Sequence, residues 1–165
     1  VAEGCKLPVE NVYILATKTA SIAGSIQVCS RTVEASVWRL HRKGLDIGKI
    51  ICGMGTCPIA PPVKDELKAM DRVNTALLYG VTVRYVVDCT DAEVEAVIHT
   101  APFSASRRYG ERFIDIFEEG KRDFYLVDKD IHTVARYEIT NYATGKTFIG
   151  GTLREDMLKD SFYRD

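Results

Sequence analysis

The 165-residue chain has little of what several protein classes require. Its 22 Lys+Arg against 23 Asp+Glu leave a net charge of -1, so there is no basic field to gather nucleic acid. No stretch approaches the ~18 unbroken apolar residues that a membrane-spanning helix needs. Cysteine is sparse: Cys5, Cys29, Cys52, Cys57 and Cys89 are an odd number with no C-x-x-C spacing, which suits neither a disulfide framework nor a zinc site. The three histidines, His41, His99 and His132, stand in no metal-ligand spacing such as H-E-x-x-H, and no metal is expected. Nothing resembling an export signal follows Val1, and a reducing cytoplasm is the expected setting.

What the chain does have is a hydrophobic fraction of 46%, enough for one well-buried core and one domain over residues 1–165. The N-terminal VAEGCKLP reads as the last turn of a helix, and NVYILAT (11–17) as a buried strand. KTASIAGS reads as a small-residue loop. From 30 to 43, Val33, Val37 and Leu40 form an apolar helical stripe that stops at Gly44. GKIICGMG (48–55) is a short glycine-bounded strand, whose end must leave room for a close-approaching backbone or ligand, and TCPIAPP a stiff loop.

A helix from Lys64 to Gly80, a strand over 81–89, and a helix capped by Thr90 and Glu93 follow. Beyond the loop 103–110 come a helix over 111–119 with Phe113, Ile116 and Phe117 inward, a strand over 123–127, a hairpin from about 133 to 150 turning at Ala143–Gly145, and a helix around 155–162. Alternation early and a hairpin late give an α+β fold with a mixed β-sheet and helices packed on it.

One constellation suggests chemistry. Arg31 and Glu34 in CSRTVEASVW sit at i, i+3, which places a guanidinium and a carboxylate side by side on a helical face turned away from the apolar stripe. The single tryptophan, Trp38, shares that face, and an aromatic beside an ion pair resembles a pocket wall. Taken alone, an R-x-x-E pair is far more often a solvated surface contact. GMGTCPIAPP lacks G-x-G-x-x-G and a terminal G-K-[ST], so it is no phosphate-binding loop. Cys52 and Cys57 have no nearby activating group and read as packing. Arg107, Arg108 and Arg112 could meet an anionic ligand tail, although such charges are usually solvated, and Asn74, flanked by apolar residues, needs amide partners in protein or ligand.

Four ordered segments carry a more specific signal: VENVYILATKTASIAGSIQVCSRTVEASVWRL, CPIAPPVKDELKAMDRVNTALLYG, YGERFIDIFEEGKRDFYLVDKD and TGKTFIGG. They resemble the C-terminal half of the methenyltetrahydromethanopterin cyclohydrolases of methane-forming archaea and some one-carbon-oxidising bacteria. The resemblance implies a chain about half the family's length. It implies that Glu34 and Arg31 are catalytic, and that Gln27, Trp38, Pro58 and Asn74 contact the pterin. The implied reaction is reversible hydrolysis of the methenyl bridge of tetrahydromethanopterin, the substrate, to the formyl derivative, with no bound prosthetic group. Glu34 would take a proton from water, and Arg31 would keep Glu34 oriented. The implied partners are the pterin one-carbon carrier and either further copies in a homotrimer, a separate N-terminal half, or both. The rival expectation is a non-catalytic pterin-binding or oligomerisation module descended from the enzyme. This sequence departs from the family pattern at Cys57, Asp71 and Thr75, and at His132, Thr133 and Val134, where Phe-Ala-Pro is typical.

Overall fold

The computed structural model describes residues 1–164. Four strands, β1 (Ile50–Thr56), β2 (Thr82–Val87), β3 (Arg136–Asn141) and β4 (Thr147–Gly151), form one sheet in the order β1-β2-β3-β4. The β2–β3 pair is parallel and the outer two pairs are antiparallel, so the sheet is mixed. Among the described residues seven α-helices accompany it: α1 (Ala2–Cys5), α2 (Ile22–Cys29), α3 (Thr32–Arg42), α4 (Glu66–Gly80), α5 (Asp91–Ile98), α6 (Phe113–Glu119) and α7 (Glu155–Tyr163). The expected α+β architecture is what the chain adopts. No helix among the described residues is long and apolar enough to cross a membrane.

The period-2 pattern of the strands decides which sheet face is covered. Val83, Tyr85 and Val87 of β2, Tyr137 and Ile139 of β3 and Phe148 of β4 point to one side, where α3 and α5 close over them with Leu40, Val94, Val97 and Ile98. Tyr85 buries its hydroxyl against Ser36 of α3 at 2.5 Å, so the strand–helix contact is also a satisfied polar one. Residues of the opposite parity, among them Met54, Arg84 and Ile149, leave the second face open. Beside the sheet, α4 packs against α2, α6 and α7.

Local signals explain the boundaries. The α5 capping box forms as expected: Thr90 Oγ1 accepts from the Glu93 N–H, and the Glu93 carboxylate accepts from the Thr90 N–H. Gly44, at φ 98°, ends α3 in a conformation that a side chain would strain. Gly145, at φ 70°, makes the β3–β4 turn.

Three expectations fail, each for a physical reason. Residues 11–17 are not a buried strand: Tyr13, Ile14 and Leu15 are exposed, Leu15 at 96%, because no strand among the described residues offers this segment a ladder. KTASIAGS is not all loop, since Ser21 caps α2 by accepting from the Gly24 N–H at 3.0 Å, and α2 starts at Ile22. Residues 123–127 turn instead of extending, with the Asp123 carboxylate accepting from the Tyr125 N–H and Lys121 and Arg122 at positive φ.

The room that the glycines of β1 leave is also filled differently from expectation. A methyl group on Gly55 would collide with the Thr32 side chain at the start of α3, and one on Gly53 with the Tyr85 ring. The glycines therefore admit protein, not ligand, and they let α3 lie close on the sheet. Gly55→Ala should destabilise the chain by about 1–3 kcal/mol through overpacking. Urea unfolding should show that loss, and Thr32→Ala added to Gly55→Ala should recover part of it, the non-additivity expected of touching residues.

Candidate active site

Because α3 lies close on the sheet with its apolar stripe inward, Arg31, Glu34, Trp38 and Arg42 face away from it. Together with Ala35, which also touches the sheet-side core, they form one wall of a cavity of about 600 Å³. Asn74, Leu77 and Leu78 of α4 line it, with Phe113 at the start of α6, Phe124, Lys129, Ile131, His132 and Thr133. Phe113, Phe117 and Phe124 pack together at centroid distances of 4.9 to 6.0 Å and stiffen the apolar end.

Two anchors hold the wall segments in place. Arg39 leaves α3 on the side of the 100–101 and 129–131 backbone and is 3% exposed. Its Nη1 donates to Asp130 Oδ1 at 2.6 Å and its Nε to the Ala101 carbonyl at 3.2 Å, which ties the helix to the turn that carries Lys129 and His132. Thr133 strengthens the same junction by donating to the Ala101 carbonyl at 2.6 Å. On the other side, the buried Tyr79 of α4 donates to the Glu111 carbonyl at 2.6 Å and accepts from the Gly110 N–H at 3.0 Å, which sets where α6 begins.

The charged pair is arranged differently from the expected side-by-side contact. Arg31 is the N-cap residue of α3 and has left helical geometry, at φ -78° and ψ 27°, so the i, i+3 alignment expected of a regular helix is lost. Among the described residues Arg31 and Glu34 make no ion pair with each other. Both are solvent-accessible, yet both line the cavity. Glu34 lies in the first turn of α3, where the helix dipole favours a carboxylate.

Of the remaining residues expected at the pterin, Trp38 and Asn74 line the cavity, while Gln27 and Pro58 do not. Gln27 is exposed on α2, and Pro58 packs on Gly80. The Asn74 Nδ2 donates to the Met70 carbonyl at 2.9 Å, one turn back, so part of its amide is satisfied within α4. The arginines at 107, 108 and 112 stand outside the cavity, and two are neutralised locally: Arg108 by Glu111 and Glu119, Arg112 by Asp115 at 2.6 Å.

Other lining residues carry no sequence motif. Arg42 lies 5.2 Å from the Trp38 ring as a cation–π contact, and His132 meets the same indole edge-on at 5.2 Å and 61°. Burial pushes the His132 imidazole below its usual value, with Lys129 and Arg31 acting the same way and Glu34 opposing them. The lining thus holds three cations, Arg31, Arg42 and Lys129, one carboxylate and one imidazole.

Asp130→Asn should leave the Arg39 charge buried without its counter-ion. Since the Asp130 side chain is 39% exposed, the expected loss is about 1–3 kcal/mol, less than for a fully enclosed pair. The Arg39 guanidinium holds the Asp130 carboxyl below its ordinary range, so the stability that Asp130 contributes is full above about pH 4 and disappears as pH falls through the folded-state value. Urea unfolding between pH 2 and 7 should show an acid-side decline that Asp130→Asn makes shallower.

Comparison with known proteins identifies the family of the chain. The family model described as cyclohydrolase (MCH) matches residues 1–162. The chain is 36% identical over 162 residues to the methenyltetrahydromethanopterin cyclohydrolase of Methylobacterium nodulans, covering 98% of this chain and 50% of that protein. It is 37% identical over 164 residues to the enzyme of that name from Methanothermobacter marburgensis, and 37% over 163 residues to that from Methanococcoides burtonii, covering 98% of this chain and 51% of each relative. The chain therefore spans about half the length of the curated relatives it matches. With the match running nearly end to end and through every element that lines the cavity, the chain belongs to the MCH cyclohydrolase family.

Proposed function

We propose that this chain supplies the C-terminal half of a cyclohydrolase that reversibly hydrolyses the methenyl bridge of a tetrahydromethanopterin derivative. One observation carries the reading: Arg31, Glu34 and Trp38 from α3 and Asn74 from α4 line a single cavity. A volume of about 600 Å³ suits a fused-ring ligand.

The chemistry asks little of the protein. The bridging carbon is part of a resonance-stabilised cation and is electrophilic before it arrives, so the protein must hold a water near it and provide a base. Glu34 is that base, and its negative charge also favours binding of the cationic ring system. Arg31 works from the same wall of the cavity, where it orients substrate or water, since it does not grip Glu34 directly. Trp38 presents a flat apolar surface to the pterin, and the Asn74 amide meets its polar edge. No prosthetic group takes part.

The other part of the active site comes from the N-terminal half of the family's fold, and the working assembly is a homo-oligomer, a trimer by family resemblance, in the cytoplasm. Exposed apolar side chains at Tyr13, Ile14 and Leu15, and at Ile51 and Met54 on edge strand β1, support cover from such partners.

Mixing this chain with a matching N-terminal half and following methenyl absorbance should give turnover. Glu34→Gln should lower kcat by about 10²-fold or more, within the range for loss of a positioned base. Full activity in that variant would overturn the role of Glu34, and no turnover in any mixture would favour a binding module without catalysis.

A further inference from the structure

Cys29 and Cys57 lie far apart in the sequence and together in the fold. Cys29 ends α2, and Cys57 follows β1 directly. Both pack into a small apolar cluster with Ala60, with Val73 and Ala76 of α4 and with Phe162 of α7. Cys29 is 4% exposed and Cys57 is half-buried. One turn earlier α2 is fastened to the same corner, because the Ser25 hydroxyl donates to the Ala60 carbonyl at 2.7 Å. Ser25 and Cys29 stand at i, i+4 on one helical face, so the first contact sets the register of the second.

Each sulfur changes the chemistry of the other. The Cys57 S–H has two acceptors in reach, the Cys29 sulfur and the Pro58 carbonyl at 3.4 Å. Contact with Cys57 holds the Cys29 thiol down to about 7 against the burial that raises it, and the Ala60 N–H acts in the same direction as Cys57. Cys57 itself is pushed up, by the contact with Cys29 and by burial. Near neutral pH a large fraction of molecules therefore holds one proton between the two sulfurs. Transfer of that proton from Cys57 to Cys29 places the thiolate on the sulfur nearer to solvent. The activating group missing from the sequence around Cys57 is thus the other cysteine.

We infer that Cys29 and Cys57 are a modification site, a dithiol that hydrogen peroxide closes into a reversible disulfide. The Cys57 thiolate attacks a peroxide oxygen, the O–O bond breaks, and Cys57 becomes a sulfenic acid. The hydroxide that leaves takes the proton on Cys29 and becomes water. The Cys29 thiolate then attacks the Cys57 sulfur, the S–S bond forms, and a second hydroxide leaves and takes a proton from solvent. Both thiols are oxidised, and the peroxide is reduced to two waters.

The bridge closes a loop that contains all of α3 and β1. It fastens the corner just before Arg31, where the cavity wall begins. In a reducing setting such a bond is transient, which suits a sensor and not a permanent staple. Cys57 is one of the positions at which this sequence departs from the family pattern, so the pair is a feature of this chain.

The exposed thiols of Cys5 and Cys52 would compete, and Cys5→Ser with Cys52→Ser removes them. In the full chain with those two changes, equimolar hydrogen peroxide under native conditions should give a linked Cys29–Cys57 peptide by mass spectrometry. Both thiols should be lost to alkylation and regained in dithiothreitol. Bridging should raise Tm by about 5–10 °C, the effect of closing a loop of this length. Cys57→Ala, shown to be folded by circular dichroism, should lose both the linked peptide and the rise in Tm. A sulfinic acid on Cys57 without the linked peptide, no reaction at either thiol, or a bridge that forms only in urea would overturn the proposal. A native bridge that lowers Tm or leaves it unchanged would equally overturn it, since the corner would then have to distort to form the bond.

Discussion

The buried guanidinium of Arg39 is the contact on which the geometry of the cavity depends. It sits on α3 between residues that face the sheet and residues that face the cavity, and reaches sideways to the Ala101 carbonyl and Asp130. A helix laid on a sheet by Val33, Val37 and Leu40 alone could slide or roll by part of a turn at little cost, because apolar contact is non-directional. The Arg39 bonds remove that freedom. They also fix the relation between α3 and a segment some ninety residues later in the chain. Glu34 and His132 reach one cavity because this tie exists.

The close approach of α3 to the sheet is a second condition, and it is set by residues that lack side chains. Gly53 and Gly55 cede space to Tyr85 and Thr32, and the Ser36–Tyr85 bond occupies the resulting contact. A helix held further out would lower the cavity wall and turn the Trp38 face toward open solvent. Packing on the sheet side thus decides the depth of the site on the other.

Much of this architecture is legible in the sequence where the signal is local. Thr90 and Glu93 announce α5, Gly44 ends α3, and Ala143–Gly145 turns the hairpin, because each acts through the backbone of its own neighbours. The R-x-x-E pair and Trp38 likewise mark the cavity-facing side of α3. What stays illegible depends on partners far along the chain. Residues 11–17 have strand composition but no strand beside them, and α2 hides behind small residues that pack tightly, as Gly24 does on the backbone of Lys18 and Thr19. Arg39 reads as one more surface cation until the fold brings Asp130 to it. His132 has no motif at all. Its place on the cavity follows from the turn at Lys129–Ile131, which the sequence presents as an undistinguished charged loop.

The bare edge of β1 carries a consequence for how such a chain must be produced. Its outward backbone amides and carbonyls are an open template, flanked by Ile51 and Met54 and accompanied by the uncovered apolar run at 13–15. Copies of this domain with the edge uncovered at high concentration pair edge to edge, and the yield of dispersed material is then set by a race between capture and aggregation. Whatever segment covers the edge, in the same polypeptide or another, must therefore reach it early in folding.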